Sequence, residues 1–261
     1  MDSADLHRRA VLGLPLALAA CATGAATSAT TTTAAPTTVP TTPGGQSEQA
    51  TAVALALNAT LRYWLHLPAG YHEQRGRTWP LIVFLHGSGE RGRDLAKVKV
   101  HGLPKLIDAG VAVPAIVVSP QCDDDDEWDP HLLHALLLAL RRDWRIDPAR
   151  VTATGLSMGG GGCWNWAMTW PGDLAGIAPV CGYGSHLRLP RMRALAVRAY
   201  HGSDDTVVPL AEQQALVGEL RALGGRAELT VYPGVGHDAW NPAYADPGLL
   251  PWLLARARPA A

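Results

Sequence analysis

Apolar positions along the chain fall into short blocks separated by polar or glycine-rich turns. Residues 60–67, TLRYWLHL, alternate apolar and polar side chains, which predicts a half-exposed antiparallel strand. LIVFL at 81–85 and AIVVS at 115–119 are continuous apolar runs, as strands buried on both faces of a parallel sheet tend to be. RVTAT (150–154), LAGIAPV (174–180), ALAVRAY (194–200) and ELTVYP (228–233) predict further strands. Between them, HLLHALLLALRRDW (131–144) has the length and spacing of a helix, and a helix is expected directly after Ser157. PLAEQQALVGELRAL (209–223) reads as an amphipathic helix with proline at its start. Repeated βα units imply right-handed crossovers and an α/β fold: a mostly parallel sheet with helices on both faces. In such sheets the functional groups lie just beyond the carboxyl ends of the strands.

Those ends carry chemistry. After 150–154 comes Gly155-Leu156-Ser157-Met158-Gly159, a G-x-S-x-G motif that turns a strand sharply into a helix with the serine at the apex. Side chains at the two glycine positions would collide, and the helix N-terminus behind the serine favours negative charge. Gly160, Gly161 and Gly162 exceed what the motif needs. A serine hydroxyl is a weak nucleophile and needs a base oriented by a third group. HGSDDTVVP (201–209) and GVGHDAW (234–240) follow the next strand ends, offering an acid and then a histidine. His237 is the base expected there. For the acid, Asp205 and Asp204 compete, and Asp238 is disfavoured because it adjoins the histidine. The backbone N–H of Met158 is the expected oxyanion donor, with a second from the loop HGSGERG (86–92).

Composition adds little to this and excludes one class. The chain has 261 residues, is 48% apolar and carries net charge −1, which gives no electrostatic case for nucleic acid. The N-terminus is different. Arg8-Arg9 precede an apolar stretch from Ala10 to Ala20 that is far shorter than the roughly 20 residues needed to span a bilayer. Residues 1–21 are expected to be an export signal. Its end, Leu18-Ala19-Ala20-Cys21, resembles a bacterial lipobox, so Cys21 is the expected lipid anchor; a plain cut after Ala17-Leu18-Ala19 is the alternative. The arginine pair loosely resembles a twin-arginine signal. Residues 22–49, rich in Thr, Ala and Pro, cannot bury a core and are expected to be a disordered linker, with the catalytic domain spanning 50–261.

With Cys21 lipidated, Cys122, Cys163 and Cys181 remain, enough for one disulfide at most. Cys163–Cys181 is the expected pair, since both should lie near the carboxyl ends of neighbouring strands. The spacings do not match a zinc site. DDDDE (123–127) lacks the alternating ligands and the turn glycine of an EF-hand and is expected to be a solvated loop. Most of the nine tryptophans should be packing, but Trp128 and Trp240 follow strand ends and are expected to line a substrate pocket.

FLHGSGERG (84–92), VVSPQC (117–122), GLSMGGGGCW (155–164), IAPVCG (177–182), HGSDDTVVP and GHDAW together resemble the α/β-hydrolase group that spans dienelactone-hydrolase-like, feruloyl-esterase and prolyl-oligopeptidase-type enzymes. The resemblance covers most of residues 60–257. It implies nucleophile Ser157, acid Asp205 within H-G-x-x-D-x-x-V-P, and base His237. It puts the second oxyanion N–H on Ser88 and gives His86 and His201 structural roles. Gly161 departs from the group, where a bulkier residue, often tyrosine, is usual. The implied activity is that of a serine hydrolase needing neither cofactor nor metal. It would be a carboxylesterase for short-acyl or hydroxycinnamoyl and polymeric esters. A peptidase and a non-catalytic surface lipoprotein are the alternatives. The stretch GYGSHLRLPRMR (182–193) is too short for a helical cap, so an open site is expected.

Overall fold

The computed structural model describes residues 59–258; the expected export signal, Cys21, the expected linker and the expected domain start at Ala50 lie outside the described residues. The strands are β1 (Tyr63–His66), β2 (Trp79–Leu85), β3 (Ile116–Pro120), β4 (Ile146–Leu156), β5 (Gly176–Val180), β6 (Ala196–Gly202) and β7 (Arg226–Tyr232). They form one sheet in the order β1-β3-β2-β4-β5-β6-β7. Only β1 is antiparallel, pairing Tyr63 with Pro120. The strand order reverses between β2 and β4, and the two carboxyl ends meet there, with Leu85 opposite Gly155. A crevice at such a reversal is where α/β sheets place their ligands.

The helices are α1 (Gly102–Asp108), α2 (Pro130–Asp143), α3 (Met158–Thr169), α4 (Leu210–Ala222), α5 (Trp240–Ala245) and α6 (Leu249–Leu254). The sheet is buried on both sides because β2 is apolar at every position. Leu81, Val83 and Leu85 pack into the core beneath α2, α3 and α4. Ile82 and Phe84 pack with residues of α1, α5 and α6 on the other face. α2 starts where Pro130 follows Asp129, whose side chain accepts the His131 N–H at 2.7 Å. The three helices that periodicity does not reveal, α1, α5 and α6, are six or seven residues long and each contains proline, too short to show a period. β4 is longer than 150–154 because Ile146 pairs with Trp79 ahead of a register shift.

The expected Cys163–Cys181 disulfide is absent: Cys122, Cys163 and Cys181 are all unpaired and buried. Cys163 lies within α3 in the core of one sheet face, while Cys181 follows β5 in the core of the other. Cys181 sits just past the carboxyl end of β5 as expected, but Cys163 lies inside α3 rather than at a strand end, in the core of the opposite face. The stretch after β5 holds only a 3₁₀ turn, His186–Met192, with Leu189 and Met192 buried beneath it.

Candidate active site

The turn from β4 into α3 is held by close backbone contacts. Ser157 takes φ 53° and ψ −117°, a strained combination for a residue with a side chain. A Cβ on Gly155 would lie 2.6 Å from the carbonyl oxygens of Gly159 and Leu85, and one on Gly159 only 2.0 Å from Leu85 O. The extra glycines have causes of their own. A Cβ on Gly160 would meet Val180 O at 2.6 Å, and one on Gly162 would meet Trp128 Cβ at 2.7 Å. At Gly161 the Tyr183 ring fills the space, 3.0–3.2 Å from where a Cβ would be. An aromatic side chain from the β5 loop thus occupies the volume that a larger residue at 161 would need.

Ser157, His237 and Asp205 come together in one chain of hydrogen bonds. The Ser157 hydroxyl lies 2.9 Å from His237 Nε2, and His237 Nδ1 lies 2.8 Å from Asp205 Oδ2. Asp205 Oδ1 accepts the N–H groups of Val207 and Val208, both at 2.9 Å. Burial alone would raise this carboxyl; the hydrogen bonds from His237, Val208 and Val207 outweigh it and hold the group below the ordinary carboxylate range. An ionised Asp205 fixes the proton on His237 Nδ1 and leaves Nε2 as acceptor for the serine hydroxyl. Asp204 is exposed and accepts the Ser203 hydroxyl at 2.6 Å. Asp238 accepts the Asn241 side-chain amide instead. Neither reaches the imidazole.

The support beneath Asp205 is buried. His201 Nε2 lies 2.9 Å from Val208 O and 3.2 Å from Asp205 Oδ2, with no exposed surface. The Cys181 thiol donates to His237 O at 3.3 Å. Cys181, His201 and Asp205 bring donor atoms within 4.8 Å of one another, the spacing of a metal site. Two of those atoms are already engaged: Asp205 Oδ2 by His237 and His201 Nε2 by the Val208 carbonyl. The cluster braces the acid and is not a donor set open to an ion.

The loop after β2 is clamped in the same manner. His86 is buried, and its Nε2 accepts the Cys122 N–H at 3.0 Å, so Nδ1 carries the proton and donates to Gly87 O at 2.6 Å. Burial pushes His86 down to about 4, which keeps the ring neutral. Glu90 accepts the Gly87 N–H at 2.9 Å, and Gln121 donates to the carbonyls of Glu90 and Asp94. Glu90 and Arg91 do not pair with each other; Arg91 reaches the sulfur of Met158. Among the described residues the backbone N–H groups of Ser88 and Met158 have no acceptor.

The two tryptophans part company. Trp240 stands edge-on to His237 with ring centroids 5.3 Å apart, beside the triad. Trp128 is buried, donates to His86 O at 3.0 Å and stacks edge-on against the His86 ring. It is a strut beneath the β2 loop and also lines a cavity beside that loop together with Gly92, Cys122 and Leu133. Residues 123–127 are exposed, as a solvated acidic loop would be. Sequence reasoning missed Tyr183, whose only signal was the unusual glycine at 161.

This doubly covered sheet, with a serine on a strained turn at its carboxyl edge, has the α/β-hydrolase fold. A phospholipase/carboxylesterase family model matches residues 131–246, the segment that contains Ser157, Asp205 and His237. A thermostable esterase of known structure is 30% identical with a TM-score of 0.65; the match covers 76% of this chain and 60% of that one. The feruloyl esterase module from Clostridium thermocellum, solved with sinapinate, is 15% identical with a TM-score of 0.59, covering 77% of this chain and 89% of that one. The acylaminoacyl peptidase of Pyrococcus horikoshii, also 15% identical, has a TM-score of 0.58 over 78% of this chain and 41% of that one. These last two likenesses are of fold alone. No curated protein sequence matches the chain.

Proposed function

We propose that the protein is a serine carboxylesterase. The observation that carries this reading is the unbroken chain from Ser157 through His237 to Asp205, with distances of 2.9 and 2.8 Å. In this reading His237 Nε2 takes the Ser157 proton as the hydroxyl oxygen attacks the ester carbonyl. The negative oxygen of the tetrahedral intermediate accepts the N–H groups of Met158 and Ser88. The imidazolium, steadied by Asp205, returns the proton to the leaving alcohol, and an acyl-enzyme forms. Water, activated by the same imidazole, then releases the acid. Neither cofactor nor metal takes part.

The substrate class follows from the open edge. The 182–193 stretch adds no helical cap, and a long acyl chain gains affinity chiefly by having its apolar area buried. Short acyl groups fit such a site, as do hydroxycinnamoyl and polymeric esters presented at a surface. The apolar stretch 10–20 and Cys21 support export and a lipid anchor on that cysteine. Mass spectrometry of the native N-terminus is expected to find a lipidated Cys21; an unmodified start at Ala20 or beyond Cys21 would refute the anchor.

The test of activity is kcat/KM across 4-nitrophenyl esters of increasing length, methyl ferulate and chromogenic peptide amides. Values should fall as the acyl chain lengthens, and esters should exceed amides. Ser157→Ala should abolish turnover and labelling by an organophosphonate. A preference for amides over all esters would make the chain a peptidase, and labelling that persists in Ser157→Ala would remove the nucleophile.

A further inference from the structure

Arg91 is half-buried at the edge of the site and lacks a counter-charge. It follows the 3₁₀ turn Ser88–Glu90 in the loop that carries the Ser88 N–H. Its Nε and Nη2 donate to Met158 Sδ at 3.2 and 3.0 Å, and Met158 is the residue next to Ser157. A thioether is a weak acceptor and leaves most of the guanidinium's five donors unused. The adjacent Glu90 turns the other way: Oε2 accepts the Gly87 N–H, and Oε1 lies 4.0 Å from His101. Asp124 packs against Gly92. Among the described residues no carboxylate comes within salt-bridge reach of Arg91, although Asp123, Asp126 and Glu127 are exposed on the neighbouring loop. Across the first turn of α3, Tyr183 covers Gly161; burial and then the Glu127 charge push its phenol up, and Arg91 opposes them. Arg91 and Tyr183 thus flank the first turn of α3, with Arg91 as the cation there and the acidic side chains of 123–127 turned to solvent on the next loop.

Withdrawing a cation partly from water is costly unless an anion meets it. A guanidinium meets a carboxylate through paired, charge-assisted hydrogen bonds. We propose that Arg91 determines specificity by receiving a carboxylate on the substrate. The site then favours half-esters, in which a second, ionised carboxylate lies a few bonds from the scissile carbonyl. The inference rests on the serine-esterase reading above and narrows its substrate class. Because Arg91 holds the side chain of the residue next to Ser157, the second carboxylate has to lie near the scissile carbonyl, and esters of C4 and C5 diacids are the class to test.

The experiment compares 4-nitrophenyl hydrogen glutarate with 4-nitrophenyl pentanoate, which have similar shape and differ in one charge. A charge-assisted contact of ordinary strength predicts kcat/KM about ten- to a hundred-fold higher for the glutarate, carried mainly by KM and shrinking with added salt. Arg91→Gln should bring the ratio close to one, and Arg91→Lys should keep part of it. A wild-type ratio at or below one overturns the proposal without reference to any variant, as does a ratio that survives in Arg91→Gln. If neither ester is turned over, the esterase reading fails by itself. The rise in Tm given by glutarate over pentanoate, expected for the wild type and lost in Arg91→Gln, then still decides for or against the anion site.

Discussion

Asp205 and Asp204 are neighbours in sequence and opposites in setting. Asp205 is buried, takes two backbone N–H groups and the His237 ring, and leans on His201; Asp204 is exposed and holds a serine hydroxyl. Replacing Asp205 by Asn puts an amide N–H opposite the imidazole or turns its oxygen away from Val207 and Val208. The second arrangement sets the amide NH2 against two backbone N–H groups, so the first is preferred, and it favours the wrong tautomer of His237. Turnover should fall by up to about ten-thousand-fold, as when this acid is neutralised in other triads. Asp204→Asn should cost no more than a few-fold. Steady-state kinetics on one ester decides the matter, and the reverse ranking would remove Asp205 from its role. The residues alone left Asp204 and Asp205 open and only the family resemblance singled out Asp205; its bracing by His201 and Cys181 was not legible. That depends on β5 and β6 lying side by side, which no local pattern encodes.

The α3 segment shows why a glycine run can be stable within a helix. Its glycines lose intrinsic helix propensity, and each lets a neighbour approach that a Cβ would repel. Gly159→Ala forces a methyl group into the Leu85 carbonyl and should cost about 3 kcal/mol or more, visible as a loss of tens of per cent of the urea midpoint or as insoluble protein. Gly218, within α4, has nothing within 4 Å of a built Cβ. Gly218→Ala should therefore stabilise by about 0.5–1 kcal/mol, raising Tm by about 1–4 °C. A destabilised Gly218→Ala would contradict the open space seen there. The strands and the two long helices were readable because apolar runs and helical spacing are local. The reason for glycine at 160, 161 and 162 was not, because the atoms that demand it belong to Val180, Tyr183 and Trp128. The disulfide failed for a related cause: sequence cannot tell which face Cys163 and Cys181 each occupy.

His86 couples the site to the stability of the entire domain. It is buried and neutral, and its ring ties β2 to the end of β3. Its proton affinity falls from 6.5 in the unfolded chain to about 4 when folded. Between those values the unfolded chain binds a proton that the folded one refuses, so stability is full above about pH 6.5 and declines as pH falls toward 4. The contribution is up to about 3 kcal/mol. Urea titrations at pH 7, 5.5 and 4.5 should show this decline, and the difference between wild type and His86→Asn should flatten across the same window. A wild type as stable at pH 4.5 as at 7 would argue against a neutral His86. The topology also governs when activity can first exist. The nucleophile and its base are 80 residues apart in sequence, and the acid comes from the β6 loop between them. During synthesis the ribosome therefore releases a chain that has its serine long before it has a base to activate it. On the proposed esterase reading, the nascent chain gains activity only once β7 has emerged and paired with β6.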